Sequence, residues 1–409
     1  MIRYRRCLFM FVSILMTAAP SLGFADVPPE DALKHARELL RDAILIDGHN
    51  DLPWAVRTDK RAQGNVALYD LRGKAPGDTD FERLKRGELG AQFWSVYIPG
   101  EAPGGFARMQ LEQIDIARQI IARHSETLRM AGSVAEIRAA RRDGRIASLL
   151  GIEGGHAIED SLGALRAYYD LGVRYMTLTH NVHTSWADSA ALPPEHDGLT
   201  AFGEQVVLEM NRLGMLVDLS HTADVTVDDV LRVSKAPVIF SHSSARALCD
   251  VPRNVPDDLL RRVTRNGGVV MVTFVAGFIN PEVSRVQGPA MAEVKRRTAG
   301  LSIEASDRIE EEIMSRVQAP KTTIAQVADH IEHVRKIAGV EHVGLGADYD
   351  GNSLWPEGLS DVSMYPNLFA ELIRRGWSDR DLKMLAGENL LRALAKAEAV
   401  SREMTAGKL

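Results

Sequence analysis

The chain has 409 residues, 45% of them hydrophobic and 25% charged, and carries a formal net charge of −6. This is the composition of a folded globular protein with room for one large domain or two ordinary ones, and it excludes a disordered or fibrous chain. The acidic excess also argues against nucleic acid or an anionic membrane surface as partner.

Residues 1–25 have the pattern of a secretory signal: Arg3, Arg5 and Arg6, the apolar run Cys7 to Met16, then the small-residue end Gly23-Phe24-Ala25. The run is shorter than the roughly 20 residues of a spanning helix, so cleavage before Asp26 is expected rather than anchoring. Removing three arginines and no acids leaves 46 basic and 55 acidic side chains, a net of −9. Cys7 leaves with the signal, so Cys249 stands alone and no intramolecular disulfide is expected. The polar end "SREMTAGKL" lacks the hydrophobic tail of a lipid-anchor signal. An exported protein, periplasmic or secreted, without a stable membrane anchor is the expectation.

From residue 43 onward, short apolar runs alternate with segments of helical period. Eight runs read as strands: 43–51, 90–98, 146–154, 173–180, 215–221, 237–242, 267–274 and 342–351. Between them, helices are predicted over 103–123, from the capping box Ser133-x-x-Glu136, and over 161–171, 201–213, 224–233 and 256–265. A long periodic stretch from Thr322 to Ala338 precedes the last strand, and helices near 366–375 and 378–396 follow it. Strands too apolar to face water on either side, alternating with helices, indicate a parallel sheet covered by helices. Eight repeats favour a closed (β/α)8 TIM-type barrel, and the absence of a GxGxxG or Walker loop removes the best support for a nucleotide-binding sheet. One catalytic domain, 26–409, is expected. The charge-rich stretch 279–321 forms a helical insertion between strands 7 and 8, either a solvated flap or an active-site lid.

Barrel enzymes place their chemistry at the C-terminal ends of the strands. Here those ends carry His49 and Asp51, Glu153, His180, His221, His242, and the pair Asp348 and Asp350. A lone strand-end histidine is more often structural than a ligand. Four of them on different strands share one mouth if the barrel closes. Imidazoles with carboxylates and no thiolate suit zinc or a similar divalent ion. Period two puts His49 and Asp51 on one face, Glu153 beside Gly151 with room around it, and Asp348 with Asp350. So many donors suit two ions bridged by a carboxylate, with a hydroxide between them, which points to hydrolysis. The other eight histidines, His35, His124, His156, His183, His196, His330, His333 and His342, read as structural or surface; His330 and His333 have clip spacing but sit on an outer helix.

"DGHNDLPW", "GIEGGHAIED", "LTHNVHTSWADS", "DLSH", "PVIFSHSSAR", "RNVPDD" and "GADYDG" follow one another as in the renal, or membrane, dipeptidases, and the chain resembles that family of zinc hydrolases from about residue 40 to 397. The resemblance implies two zinc ions: one held by His49 and Asp51, the other by His221 and His242, with Glu153 bridging. It implies that His180 binds the carbonyl oxygen and its oxyanion, that Arg253 pairs with the substrate's C-terminal carboxylate, and that Asp348 rather than Asp350 is the catalytic acid/base. The implied activity is dipeptide hydrolysis by a hydroxide bridging the zincs, and the family's homodimer becomes an expectation. Unlike the mammalian members, this chain lacks their disulfides and anchor tail. Phe278 stands where they have a substrate-contacting tyrosine. The rival readings are an amidohydrolase acting on N-acyl amino acids and a non-catalytic metal-binding barrel.

Overall fold

The computed structural model describes residues 28–408 apart from 103, 299 and 302; the signal read at 1–25 lies outside the described residues. Nine strands are present among the described residues: β1 (Leu45–Asn50), β2 (Leu89–Ser95), β3 (Leu128–Met130), β4 (Ile146–Glu153), β5 (Val173–Thr177), β6 (Leu216–Asp218), β7 (Val238–Phe240), β8 (Val269–Val272) and β9 (Val343–Leu345). All pairings are parallel, and eight strands run round a closed ring, β1-β2-β4-β5-β6-β7-β8-β9 and back to β1. This is the (β/α)8 barrel expected from the sequence.

The ninth strand, β3, was not predicted. It pairs with the first residues of β4 (Ile146 to Ser148), on the edge that β5 takes over from Leu150 onward. The predicted strands also overrun. Those at 173–180, 215–221, 237–242 and 342–351 end at Thr177, Asp218, Phe240 and Leu345, so the polar residues at their ends lie in the following loops.

Period two divides the apolar residues between two layers. Inside the ring, Ile46, Phe93, Leu149, Tyr175, Ile239 and Met271 cluster with Leu390, Leu391 and Leu394 of the helix Asn389–Thr405. The chain leading into that helix approaches the start of β1, where a Cβ on Gly387 would meet the Ile44 carbonyl at 2.3 Å, so this segment closes the barrel at the end where the strands begin. Outside the ring, Leu45, Ile152, Val217, Phe240 and Val272 pack beneath the helical layer. The helix Pro29–Asp42 shows how that layer forms. Pro29 opens it, Glu30 and Asp31 lie at its positive end and Arg41 at its negative end, and Ala32, Ala36, Leu39 and Leu40 make one buried stripe against the helix Tyr365–Arg374. It stops at Ala43, whose extended backbone leads into β1. Truncating Leu40, which is fully buried, to alanine would cost about 2–5 kcal/mol.

At the predicted capping box, the Ser133 hydroxyl accepts the Glu136 N–H, but the Glu136 carboxylate reaches back to the N–H of Gly132, one residue earlier than expected. Between β8 and β9 run the helices Ala276–Ile279, Pro281–Thr298, Ile303–Met314 and Ile324–Ala338. The second and third pack on each other, with Val294 and Ile313 buried. No helix of the described residues is long and apolar enough to cross a membrane.

Candidate metal centre

The C-terminal rim brings together residues from six strand ends. His49 lies in β1, and Asp51 precedes the helix Leu52–Thr58 without capping it, so its carboxylate remains available to the site. Glu153 is the last residue of β4. His180, His221, His242 and Asp348 sit two or three residues past β5, β6, β7 and β9. His221 and Asp348 turn inward through left-handed backbone, with φ of 62° and 72°. For residues with a Cβ this conformation costs on the order of 1–3 kcal/mol, and such strain collects at functional sites. Next to Asp348, a Cβ on Gly351 would meet Asp51 Oδ2 at 2.4 Å and Asp348 Oδ1 at 2.7 Å, so any larger residue there must displace those carboxylates.

Glu153 divides its two oxygens. Oε2 lies 3.3 Å from His49 Nε2, which is itself 3.3 Å from Asp51 Oδ2 and 3.7 Å from Asp348 Oδ1. Oε1 lies 3.0 Å from His221 Nε2 and 3.3 Å from His242 Nε2, and those two nitrogens are 3.0 Å apart. Three overlapping donor groups result: His49, Asp51 and Glu153; Glu153, His221 and His242; and His49, His242 and Asp348. His49 Nε2 and Asp51 Oδ1 are buried without a hydrogen-bond partner among the described residues. Convergent imidazole nitrogens and carboxylate oxygens, some unpaired and all shielded from water, are a donor set that fits divalent cations such as zinc.

Two imidazoles are oriented from behind. The Tyr175 hydroxyl donates to the Gly48 carbonyl (3.2 Å) and accepts the Nδ1–H of His49 (2.8 Å), which directs Nε2 into the site. Tyr175 reaches His49 across the barrel because Gly151 has no side chain; a Cβ there would lie 2.0 Å from the tyrosine ring. The room expected beside Glu153 is thus occupied by Tyr175. Ser241 Oγ lies 2.9 Å from His242 Nδ1 and donates to the buried carboxylate of Asp218 at 2.6 Å. Asp47, also fully buried, accepts from the His49 and Ala347 N–H groups, Gln92 and the Tyr365 hydroxyl, tying β1 to β2 and to the loop after β9. Sequence reading missed Tyr175, Ser241, Asp218 and Asp47. The available signal was polar residues at inward positions of strands or next to the motif histidines.

The protonation states suit a ligand set. Burial lowers the pKa of His221 and His242 well below the ordinary histidine value, with Arg253 adding to the effect on the first and His49 on the second, so both are neutral. Burial alone would raise Glu153, but the charge of His49, then the bond from His221, hold it well below the usual carboxylate range. Burial opposes charge on His49 as well; the Tyr175 oxygen, Glu153 and Asp51 outweigh it and raise its pKa. The field that favours a proton there favours a metal cation equally. Asp348 is raised, chiefly by burial, with His49 opposing and Asp51 and Glu153 reinforcing.

His180 packs on the rings of Tyr97 and His221 (centroids 4.9 and 4.2 Å) and its Nε2 is 3.8 Å from Glu153 Oε1; burial lowers its pKa. Arg253 donates to Ser243 Oγ and the His242 carbonyl, both at 3.3 Å, lies 5.1 Å from the Phe278 ring centre, and keeps Nε unpartnered. Burial lowers its pKa only to about 10, so it stays cationic.

Asp350 does not join this group. Strand geometry ends at Leu345, and Asp350, also left-handed with φ 64°, turns away to exchange N–H to carboxylate bonds with Asp78. The shared face expected for Asp348 and Asp350 is therefore absent. His330 and His333 lie apart too: His330 bonds the Ala245 N–H and the Ile279 carbonyl, and His333 pairs with Asp257.

A closed barrel with imidazoles and carboxylates converging on its C-terminal rim is the architecture of a metal-dependent hydrolase. The sequence pattern of the membrane dipeptidase family (peptidase family M19) matches residues 33–408. Dipeptidase 3 of Mus musculus is 41% identical over 381 residues, 92% of this chain and 68% of that protein. Among solved structures, the probable dipeptidase PvdM from Pseudomonas aeruginosa is 25% identical with a TM-score of 0.79, the match covering 91% of this chain and 100% of that one. A metallopeptidase from Rhodobacter sphaeroides, liganded with a phosphinate mimic of the dipeptide L-Ala-D-Ala, shares the fold at 24% identity and a TM-score of 0.70, over 87% of this chain and 100% of that one. The chain belongs to the membrane dipeptidase family of metallopeptidases.

Proposed function

We propose that this protein is a dizinc dipeptidase in which His49 and Asp51 hold one ion, His221 and His242 hold the other, and Glu153 bridges them. The observation that carries the reading is the division of Glu153, whose two oxygens face separate donor groups about 3 Å away on each side. When bound, such a pair of ions supplies Lewis acidity and a water of lowered pKa.

The chain's own residues account for the rest of the reaction. Asp348 faces the same space, and a raised pKa lets it take the proton of the attacking water and return it to the leaving amine. His180, neutral and set against Glu153, offers an N–H to the carbonyl oxygen as negative charge develops there. Arg253 has an Nε–H unpartnered among the described residues to offer the substrate's C-terminal carboxylate, and its planar fork suits that task better than an ammonium group. A carboxylate anchor one residue beyond the scissile bond restricts the substrate to dipeptides.

The test is a panel of dipeptides with L- or D-residues at the C-terminus, assayed with and without chelator beside N-acetylated amino acids, with the metal content of the purified protein measured in parallel. Chelator-sensitive cleavage of free dipeptides and about two ions per chain are expected. Cleavage of the acetylated compounds alone would favour the N-acyl amino acid reading, and one ion per chain would remove Glu153 from its bridging role.

A further inference from the structure

The two imidazoles oriented from behind are oriented differently. On His49 the hydrogen-bond chain ends at a neutral carbonyl, that of Gly48. On His242 it ends at a carboxylate, Asp218, through the hydroxyl of Ser241. Asp218, Ser241 and Thr177 are fully buried, a polar layer immediately beneath the metal centre.

The direction of each hydrogen bond in this layer is determined by its partners. Asp218 Oδ1 accepts the backbone N–H groups of Ser241 (2.7 Å) and Ser220 (3.2 Å). Oδ2 accepts the hydroxyls of Ser241 (2.6 Å) and Thr177. Four donors converge on two oxygens, so Asp218 acts only as an acceptor. The Ser241 hydroxyl has two acceptors, Asp218 Oδ2 at 2.6 Å and Ser220 Oγ at 3.4 Å; its single proton goes to the nearer, charged one, and its lone pair is what His242 Nδ1 meets at 2.9 Å. Nδ1 must then carry the proton, and Nε2, which faces Glu153 Oε1 and His221 Nε2, must carry the lone pair.

We infer that Asp218 and Ser241 are positioning residues that set the His242 tautomer, committing its Nε2 to a metal cation. The inference rests on the metal-centre reading above. It makes a prediction that packing alone does not: the isosteric change Asp218→Asn should be more damaging than deleting the serine hydroxyl. In that variant the amide oxygen must take the Oδ1 place, because the two backbone N–H groups there cannot turn round. The NH2 group then faces Ser241 Oγ. Thr177 can adapt, since its hydroxyl already lies 3.2 Å from the Ile152 carbonyl. Ser241, now receiving a hydrogen bond, donates its proton to His242 Nδ1 and moves the imidazole proton to Nε2, where it competes with the metal. Ser241→Ala removes the relay without reversing it.

The experiment compares the full-length protein with Ser241→Ala, Asp218→Asn and the double variant by zinc competition against a chromophoric chelator. The His242 tautomer is read independently by 15N NMR of the metal-free, histidine-labelled proteins. Wild type should show the Nδ1–H form. Ser241→Ala should weaken one of two zinc sites about 10- to 100-fold, Asp218→Asn should weaken it further and show the Nε2–H form, and adding Ser241→Ala to Asp218→Asn should restore zinc binding to the level of Ser241→Ala alone. An Nε2–H form in wild type overturns the inference, as does a double variant no better than Asp218→Asn. A wild type that binds a single zinc yet shows the Nδ1–H tautomer would count against the dizinc reading and leave the relay standing.

Discussion

Two sets of carboxylates lie close together on the same rim, and they do different things. The inner set, Asp51, Glu153 and Asp348, gathers around His49, with His221 and His242 beside Glu153. The outer set, Asp78 and Asp350, has no imidazole between its members: the Asp78 N–H donates to Asp350 Oδ1 at 2.7 Å and the Asp350 N–H to Asp78 Oδ2 at 3.0 Å. Burial raises Asp78 to a pKa of about 6 and, with the Asp78 charge adding to it, Asp350 to about 7. Glu153 is held ionised while the outer pair favours protons. Glu153, set among imidazoles, suits a metal cation; Asp78 and Asp350, set beside each other without one, hold a proton more readily.

Asp348→Asn should break the inner set most deeply. It keeps the shape but removes the proton carrier, so turnover is expected to fall about 10²- to 10⁴-fold with metal content unchanged, measured by steady-state kinetics beside elemental analysis. Normal turnover in that variant would end its assigned role.

Gly351→Ala should sharpen the comparison by pushing the inner set apart without changing its chemistry. The new methyl group would press on Asp51 and Asp348, and a displacement of this kind is expected to cost about 10- to 100-fold in turnover. Wild-type kinetics would mean that the two carboxylates have room to give.

Asp350→Asn should leave turnover within about twofold and act on stability instead. Because the folded pKa of Asp350, about 7, lies above its unfolded value, the native state holds a proton that the unfolded chain releases. Stability from this group is therefore greatest at low pH and declines as pH rises from about 4 to about 7, by something on the order of 4 kcal/mol. Denaturant melts at pH 4.5 and 8 should show that decline in wild type and less of it in Asp350→Asn. Equal pH dependence in the two proteins would remove the outer pair as its source.

The contrast between the two sets also marks where sequence reading reached its limit. Strands buried on both faces leave continuous apolar runs, and this is why all eight ring strands and the polar residues after them stood out. β3 did not, since Leu128-Arg129-Met130 alternates over only three residues, too few to stand out as a strand, and pairs only with the first residues of β4. Period two placed Asp348 and Asp350 on one face, but the strand ends at Leu345 and two left-handed residues send them apart. His49 and Asp51 do converge, although Asp51 belongs to the turn into the next helix rather than to β1. Asp218, Ser241 and Tyr175 were out of reach for another reason: their partners lie on other strands, and only register, such as Thr177 opposite Asp218, brings them together.

The division of Glu153 has a thermodynamic consequence. One side chain with one rotamer serves both donor groups, so whatever fixes it for one group fixes it for the other, and in the proposed two-ion centre loading of the two positions is a linked equilibrium. Linkage is reciprocal: the factor by which the first cation changes the affinity for the second must equal the factor by which the second changes the first. If the centre holds two ions as proposed, the population of its half-loaded state is therefore set by a single coupling constant, carried by the last residue of β4.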